Sequence, residues 1–479
     1  MRSARFLRTD ISRADASWAP VLLSALPALA ICLLWWPALD ASFQFDDWNV
    51  IVNEPRVHSL AAWWQSMPGI RPLLKLSYAS NFAIDPHPSG FRVVNLLIHA
   101  LSATLVGSLL RTRGLRSGLS ESNASHAALL AALLFALHPV QTEAVTYISG
   151  RSSSLAACFC LLSLYCWVRS EESARPLRSN AWLATCCVCF GLAVATKETA
   201  LILPLALLLY SADRPLNATL KRLAPLLLLM AVLLVVALSL PTYRRLLAVS
   251  LDTRTIGENL LTQSRALFYL AGQLIRISNG NADPQLPVVE SLDSLTAILC
   301  IVWLGSIVWA LLNLQRRPVS SFAVLWFLLW LAPTNSLLPR LDVANDRQLY
   351  LASVGPVWWL AVRVASWHPA PAVLRHLTIA SMLMALSWAT YQRNLVYDTE
   401  VAFWENTAAH NPESSRAANN LGMAYALECR FTQAEAAFER AIALSGDDYY
   451  SRINLILLRK GMLPGVDRKR CPHAATTDD

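Results

Sequence analysis

Charge is the first thing this chain is short of. Asp, Glu, Lys and Arg make up only 15% of its 479 residues, against about 25% in soluble domains. With 55% of its residues hydrophobic, it has too little polar surface for a soluble class and reads as an integral membrane protein. No glycine-rich phosphate loop and no regular RNA-binding pattern is present, so the net charge of +8 does not indicate a nucleotide or nucleic-acid site. The ten cysteines lack metal spacing. Cys32, Cys158, Cys160, Cys166, Cys186, Cys187, Cys189 and Cys300 lie inside apolar runs, where Cys behaves as a small hydrophobe. Cys186-Cys187-Val188-Cys189 has neither the interval nor the polar context of a zinc site. Cys429 and Cys471 lie in a polar tail and are free to pair if that tail is extracytoplasmic.

Long apolar runs are what the chain has instead. Arg2, Arg5, Arg8 and Arg13 precede the first run, and no small-residue cleavage site follows it. It therefore reads as a retained helix with a cytoplasmic segment 1–17 before it. Eleven spans are expected, at about 18–39, 91–110, 126–137, 152–169, 181–196, 199–212, 223–241, 293–314, 320–338, 350–366 and 374–392. Clusters such as Arg111-Arg113-Arg116, Arg169-Arg175-Arg178, Arg214-Lys221-Arg222 and Arg316-Arg317 mark the cytoplasmic ends. Two long outer loops remain, about 40–90 and 242–292. The amphipathic stretch 256–276 in the second is expected to lie in the interface, since a crossing there would put Arg316-Arg317 outside.

From about 393 to 465 the composition turns polar and helical. Leu421, Gly422, Tyr425, Ala434, Phe438 and Ala441 match a tetratricopeptide frame, with Trp404, Pro412 and Leu455 fitting flanking half-repeats. Ile456 and Gly446 depart from that pattern. Residues 466–479 are expected to be a disordered tail. The fold class is thus all-α: a polytopic membrane domain, 18–392, followed by a short extracytoplasmic repeat domain.

With this topology the unusual polar groups fall on one side of the membrane. They are Asp46, Asp47, Arg71, His138, Glu143, Arg151, Lys197, Glu198, Arg340, Asp346 and Arg347, from six loops or helix ends. Acids suit a general base, and Arg or Lys suit a phosphate. Asp46-Asp47 directly follow the first apolar run, where a carboxylate pair is costly without a task or a partner. Each group also has a plainer reading. His138 before Pro139 is placed to cap a helix, and Lys197-Glu198 to form an ion pair at a helix end. Two adjacent acids are also a pattern that holds a divalent cation, although no metal or other cofactor is the expectation.

Phe45-Asp46-Asp47, Arg71-Pro72-Leu73, Asn95-Leu96-Leu97-Ile98-His99-Ala100, Leu137-His138-Pro139-Val140-Gln141-Thr142-Glu143, Gly150-Arg151, Thr196-Lys197-Glu198-Thr199 and Asp346-Arg347-Gln348-Leu349-Tyr350-Leu351 occur in that order. This ordered set resembles the glycosyltransferase C superfamily. More narrowly it resembles the transmembrane and tetratricopeptide-repeat-containing O-mannosyltransferases, over nearly the whole chain. The resemblance implies transfer of a mannose-like sugar from a polyprenyl-phosphate donor to a protein hydroxyl outside the membrane. It implies an acidic base after the first helix, here Asp46 with Asp47 its rival, and cations on the lipid phosphate. A bacterial inner (plasma) membrane setting is expected, and the repeats, which bind peptides or partner proteins in a concave face, are a place for a partner protein. The family often has Glu where this chain has Asp346. A same-fold transferase acting on an outer-leaflet lipid or polymer, and a non-enzymatic anchor with a partner-binding tail, are the alternatives.

Overall fold

A computed structural model describes residues 19–277, 280–367, 371–445, 449–466 and 471. The segment 1–17, Gly446 and the tail 466–479, except Val466 and Cys471, lie outside the described residues. The described residues are helical, with no strand among them. After α1 (Ala19–Trp35) the first long loop carries a short α2 (Leu60–Gln65) and α3 (Pro72–Ile84). There follow α4 (Pro88–Arg116), α5 (Glu121–Leu137), a one-turn α6 (Thr142–Val145), α7 (Arg151–Glu172), α8 (Pro176–Thr196), α9 (Leu203–Tyr210) and α10 (Leu216–Ser239). The second long loop holds α11 (Pro241–Thr253) and α12 (Ile256–Gln273). The membrane domain ends with α13 (Ser294–Leu312), α14 (Pro318–Leu331), α15 (Leu349–Ala352), α16 (Val354–Ala365) and α17 (Ala372–Leu395). Proline opens α3, α4, α8, α11 and α14. Its fixed φ suits a first turn, where its missing N–H has no partner to lose.

Six helices among the described residues are long and apolar enough to cross a membrane: Pro88–Arg116, Ile148–Glu172, Pro176–Thr196, Leu216–Ser239, Ser294–Leu312 and Ala372–Leu395. Glu121–Leu137 with Pro139–Val145 makes a further span bent by 54°, and Ala25–Ala38, Glu198–Tyr210, Pro318–Leu331 and Val354–Ala365 are shorter apolar helices. An apolar helix therefore stands at each position where a span is expected. At the centre, α5 packs on α1, α4, α16 and α17. Its Ala124, Ala127, Ala128, Ala131, Ala132 and Ala136 are completely buried, and small side chains let neighbouring backbones approach. A Cβ on Gly355 of α16 would come within 2.7 Å of the Ala323 carbonyl oxygen of α14. On the outside, α10, α13 and α17 expose Leu228, Val235, Ile301, Leu304, Leu377 and Met384, a surface suited to hydrocarbon and not to water. The stretch 256–276 forms α12, whose Asn259, Thr262, Gln263 and Gln273 are buried while Leu260 and Phe268 are exposed. Its polar side faces the protein: Asn259 donates to the Ser336 carbonyl at 2.6 Å.

The tail forms α18 (Glu400–His410), α19 (Ser415–Leu427), α20 (Phe431–Ser445) and α21 (Tyr449–Arg459), each packed on the next. Gly422 lies against the Phe438 ring, where a Cβ would meet it at 2.7 Å. Cys429 and Cys471 form a disulfide with Cα atoms 5.6 Å apart. The tail also seats directly on the acid loop. Ser42 N–H donates to the Asp398 carbonyl at 3.0 Å, Gln44 Nε2 to the Tyr397 carbonyl at 3.0 Å and Trp48 Nε1 to Glu400 Oε1 at 2.8 Å.

Candidate active site

The acid loop is pinned from several directions. Phe45 has φ of 42°, a left-handed conformation uncommon without glycine, and such residues persist only where their surroundings enforce them. Its ring packs edge-on against Trp404 of α18, centroids 5.2 Å apart. Buried Arg92 donates to the Thr146 carbonyl at 3.1 Å and to the Ala41 carbonyl, tying the loop to the turn after α6. Asp46 N–H donates to the Tyr147 hydroxyl at 3.0 Å.

The two adjacent acids have different environments. Asp47 is completely buried, and both its oxygens are taken. Oδ2 accepts from Gln44 N–H at 3.1 Å, and Oδ1 from Ser149 N–H at 2.7 Å and the Ser149 hydroxyl at 2.5 Å. Burial pushes its carboxyl up to about 6, against those hydrogen bonds. Asp46 is only half-buried, and its charge bears on Tyr147, Asp283 and Arg347. Asp47 is therefore bound into the loop, and Asp46 is the acid left accessible. Among the described residues no group of three or more His, Cys, Asp or Glu is arranged to hold a metal ion.

Four of the expected cations converge. Arg71, itself at φ 50° before α3, meets Glu198 through two bonds, Nε at 3.0 Å and Nη2 at 2.5 Å. Lys197, buried between α8 and the next turn, donates to the Ser153 hydroxyl at 2.7 Å. Burial and the charges of Arg71, Arg340 and Arg347 hold its ammonium well below the usual lysine range. Arg347 receives its orientation from Glu143: Oε2 accepts Arg347 N–H at 3.1 Å, and Oε1 lies 3.6 Å from Nε. Glu143 and Glu198 are paired to this group, and the charges of Asp46 and Asp342 also bear on it, so Arg71, Lys197, Arg340 and Arg347 meet among several acids.

Arg347 lines two cavities. One is walled by Phe45, Glu143, Tyr147, Asp283, Asp342 and, from the tail, Tyr397 and Phe403. The other is walled by Lys197 and Ser153 together with apolar side chains, among them Ala156, Cys160, Trp330 and Leu351. A cation thus stands between an acid-lined pocket and a cleft with an apolar wall.

The remaining sequence candidates lie elsewhere. Arg151 is completely buried, with its guanidinium bonded to Asn95 Oδ1 at 2.6 Å, Asn81 Oδ1 at 2.9 Å and the Phe91 carbonyl at 2.8 Å. It sits over the Tyr78 and Phe91 rings, so it clamps α3 and α4 to α7 and has no reach for a phosphate. His138 takes its plainer role, with Nδ1 accepting Val140 N–H at 3.2 Å. Asp346 points away from Arg347's cavities and receives Gln273 Nε2 at 3.3 Å. Burial and the Glu143 carboxylate push it up to about 7. Gly150 matters through size: a Cβ there would lie 2.0 Å from the Glu143 carbonyl oxygen. Gly150→Ala is expected to lower the melting temperature of the purified chain, by about 1–3 kcal/mol or more of stability as forced overpacking does. An unchanged Tm would show that the turn relaxes freely.

Tyr147, Ser149, Asp283 and Asp342 are site residues the sequence reading did not single out. Tyr147 had a signal, standing between Glu143 and Arg151 in an already notable stretch, and so had Asp342, between Arg340 and Asp346; Asp283 is an isolated loop acid without one. Arg416 of α19 joins them, with Nε 2.8 Å from Asp283 Oδ2 and Nη2 3.1 Å from Asp342 Oδ1. The tail therefore closes one side of the acid-lined pocket. The Arg416 side chain is partly exposed, but Asp283 is buried and would lose its partner. Arg416→Ala is accordingly expected to reduce Tm, and Asp283→Asn in the same chain to recover part of the loss. No recovery would mean that the pair does not hold the tail.

Fold and site together define a helical protein of the polytopic membrane class. Residues 119–241 match the family described as dolichyl-phosphate-mannose-protein mannosyltransferase. Within the class, the chain resembles the transmembrane and tetratricopeptide-repeat-containing proteins. It is 26% identical to protein O-mannosyl-transferase Tmtc3 of Drosophila melanogaster, covering 82% of this chain and 50% of that protein. To human protein O-mannosyl-transferase TMTC3 it is 25% identical, covering 88% of this chain and 51% of that one. Human TMTC4 is 31% identical over a shorter part, 38% of this chain and 27% of its own length. The chain thus spans about half the length of the relatives it matches most fully. No solved structure matches it.

Proposed function

We propose that this chain transfers a mannose-like sugar from a polyprenyl-phosphate donor to a hydroxyl of a protein acceptor at the extracytoplasmic face. The observation that carries this reading is the place of Arg347. It lies between an apolar-walled cleft with Lys197 and the acid-lined pocket whose residues feel Asp46. In this reading the lipid chain lies on the cleft side of Arg347, the phosphate at Arg347, Lys197, Arg71 and Arg340, and the sugar on the acid-lined side. The printed names of the relatives, protein O-mannosyl-transferases, support the sugar and the acceptor class. The Cys429–Cys471 disulfide supports an oxidising side for the tail.

In the proposed step Asp46 takes the acceptor hydroxyl proton as the oxygen bonds the anomeric carbon. The bond from that carbon to the phosphate oxygen breaks, and its electron pair leaves with the lipid phosphate. Arg347, Lys197, Arg71 and Arg340 stabilise the charge on the leaving phosphate. A phosphate leaves without being protonated, so one carboxylate suffices where a glycosidase uses two. A single displacement inverts the anomeric centre. The helices α18–α21, read as a short tetratricopeptide array, present the acceptor beside the pocket they wall, which favours a protein over a lipid acceptor. Comparison of surface glycoproteins from cells with and without the chain tests the reading. It expects O-mannosylated peptides lost with the chain; an unchanged set would contradict it.

A further inference from the structure

A third cavity, of about 300 Å³, lies between the end of α12, the last turns of α17 and the start of the tail, and shares no wall residue with the two already described. Arg393 of α17 is 7% exposed. One of its amino groups donates to Asn406 Oδ1 at 3.1 Å, while Nη2, also buried, has no partner among the described residues. Arg276 stands in the same wall and is exposed, and Gln273, Asn406 and Trp388 also line it.

We propose that this cavity binds an anionic headgroup, a phosphate ester carried by a lipid or free in solution. Buried guanidinium N–H groups are ordinarily given an acceptor, and Nη2 of Arg393, a residue that lines the cavity, has none among the described residues. Arg276 supplies a second cation, and Asn406, whose Oδ1 accepts from Arg393, supplies an amide donor. Among the described wall residues Asp346 is the one carboxyl group; burial and Glu143 push it up, Arg393 acts the other way, and it accepts Gln273 Nε2 at 3.3 Å. The depth fits a lipid. Trp388 is 66% exposed about two turns before the end of the apolar helix α17, and tryptophan there marks the headgroup level. The site does not depend on the transfer reaction, and either can fail without the other.

The test is native mass spectrometry of the purified full-length chain in detergent, offered dioctanoyl phosphatidylglycerol, dioctanoylglycerol or inorganic phosphate. Retention of the phosphatidylglycerol but not of dioctanoylglycerol is expected. Arg393→Gln and Arg276→Gln should each weaken it by about tenfold, the loss typical of one charge-assisted bond. Binding of inorganic phosphate alone, weakened by the same substitutions, would keep the anion site and make its ligand soluble. Because Arg393 stacks on Tyr397 its removal can disturb the fold, and the exposed Arg276 keeps the test clean. Wild-type chain that holds neither phosphate probe, or both probes bound equally well by Arg276→Gln, would overturn the proposal.

Discussion

Asp46→Asn is expected to lower turnover by about 10²- to 10⁴-fold, the usual contribution of a general base, while donor binding is largely kept. The amide has nearly the size of the carboxylate but cannot accept the hydroxyl proton. Asp46 is half-buried and its charge reaches the pocket wall, so little structure depends on it. Asp47 is the opposite case. Asp47→Ala leaves the buried N–H groups of Gln44 and Ser149 without an acceptor, at about 1–3 kcal/mol each. Its first effect is therefore on Tm. Initial rates at saturating donor, with melting curves for both variants, separate the roles. A dead but stable Asp47→Asn beside an active Asp46→Asn would reverse the assignment.

Arg347→Ala should reduce donor affinity by about 10- to 100-fold, the equivalent of losing a hydrogen bond to a charged group. The single substitution has a second consequence, because it leaves the buried Glu143 carboxylate without its ion pair. Stability falls with it. Glu143→Gln combined with Arg347→Ala is expected to restore Tm but not donor affinity. Arg347→Lys keeps the charge without the planar fork and should recover binding only in part. The check is KM for the lipid donor with thermal melting on the same preparations. A normal KM in the stable double variant would remove Arg347 from phosphate binding.

Much of the fold was legible because apolar runs and basic clusters are long-range signals that survive one-dimensional reading. The eleven expected spans fall on apolar helices for that reason. The convergence of Arg71, Lys197, Arg340 and Arg347 was legible because acids and bases together fell on the outer face, whereas basic clusters alone, as on the inner face, are the ordinary signal of topology. Arg151 shows where such reading stops. In sequence it is an arginine after a glycine in an outer segment, indistinguishable from a phosphate ligand. Only packing shows that Asn95 and Asn81, from two other helices, already satisfy it. The difference between Asp46 and Asp47 was hidden likewise. It depends on Ser149, about a hundred residues away, lending its N–H and hydroxyl to one acid and not the other. α12 gave a clear amphipathic pattern, but which side faced the protein was not in the pattern. Its polar side does, because the loop before the Asp346-Arg347 turn offers carbonyls there.

The most direct measurement is transfer by the purified full-length chain from labelled polyprenyl-phosphate mannose to a serine- and threonine-rich acceptor protein. Labelled protein should appear in step with released polyprenyl phosphate, with the anomeric configuration opposite to that of the donor, and Asp46→Asn should remove both products. Transfer undiminished in stable Asp46→Asn, or a wild-type chain that releases no lipid phosphate in the presence of acceptor, would contradict it.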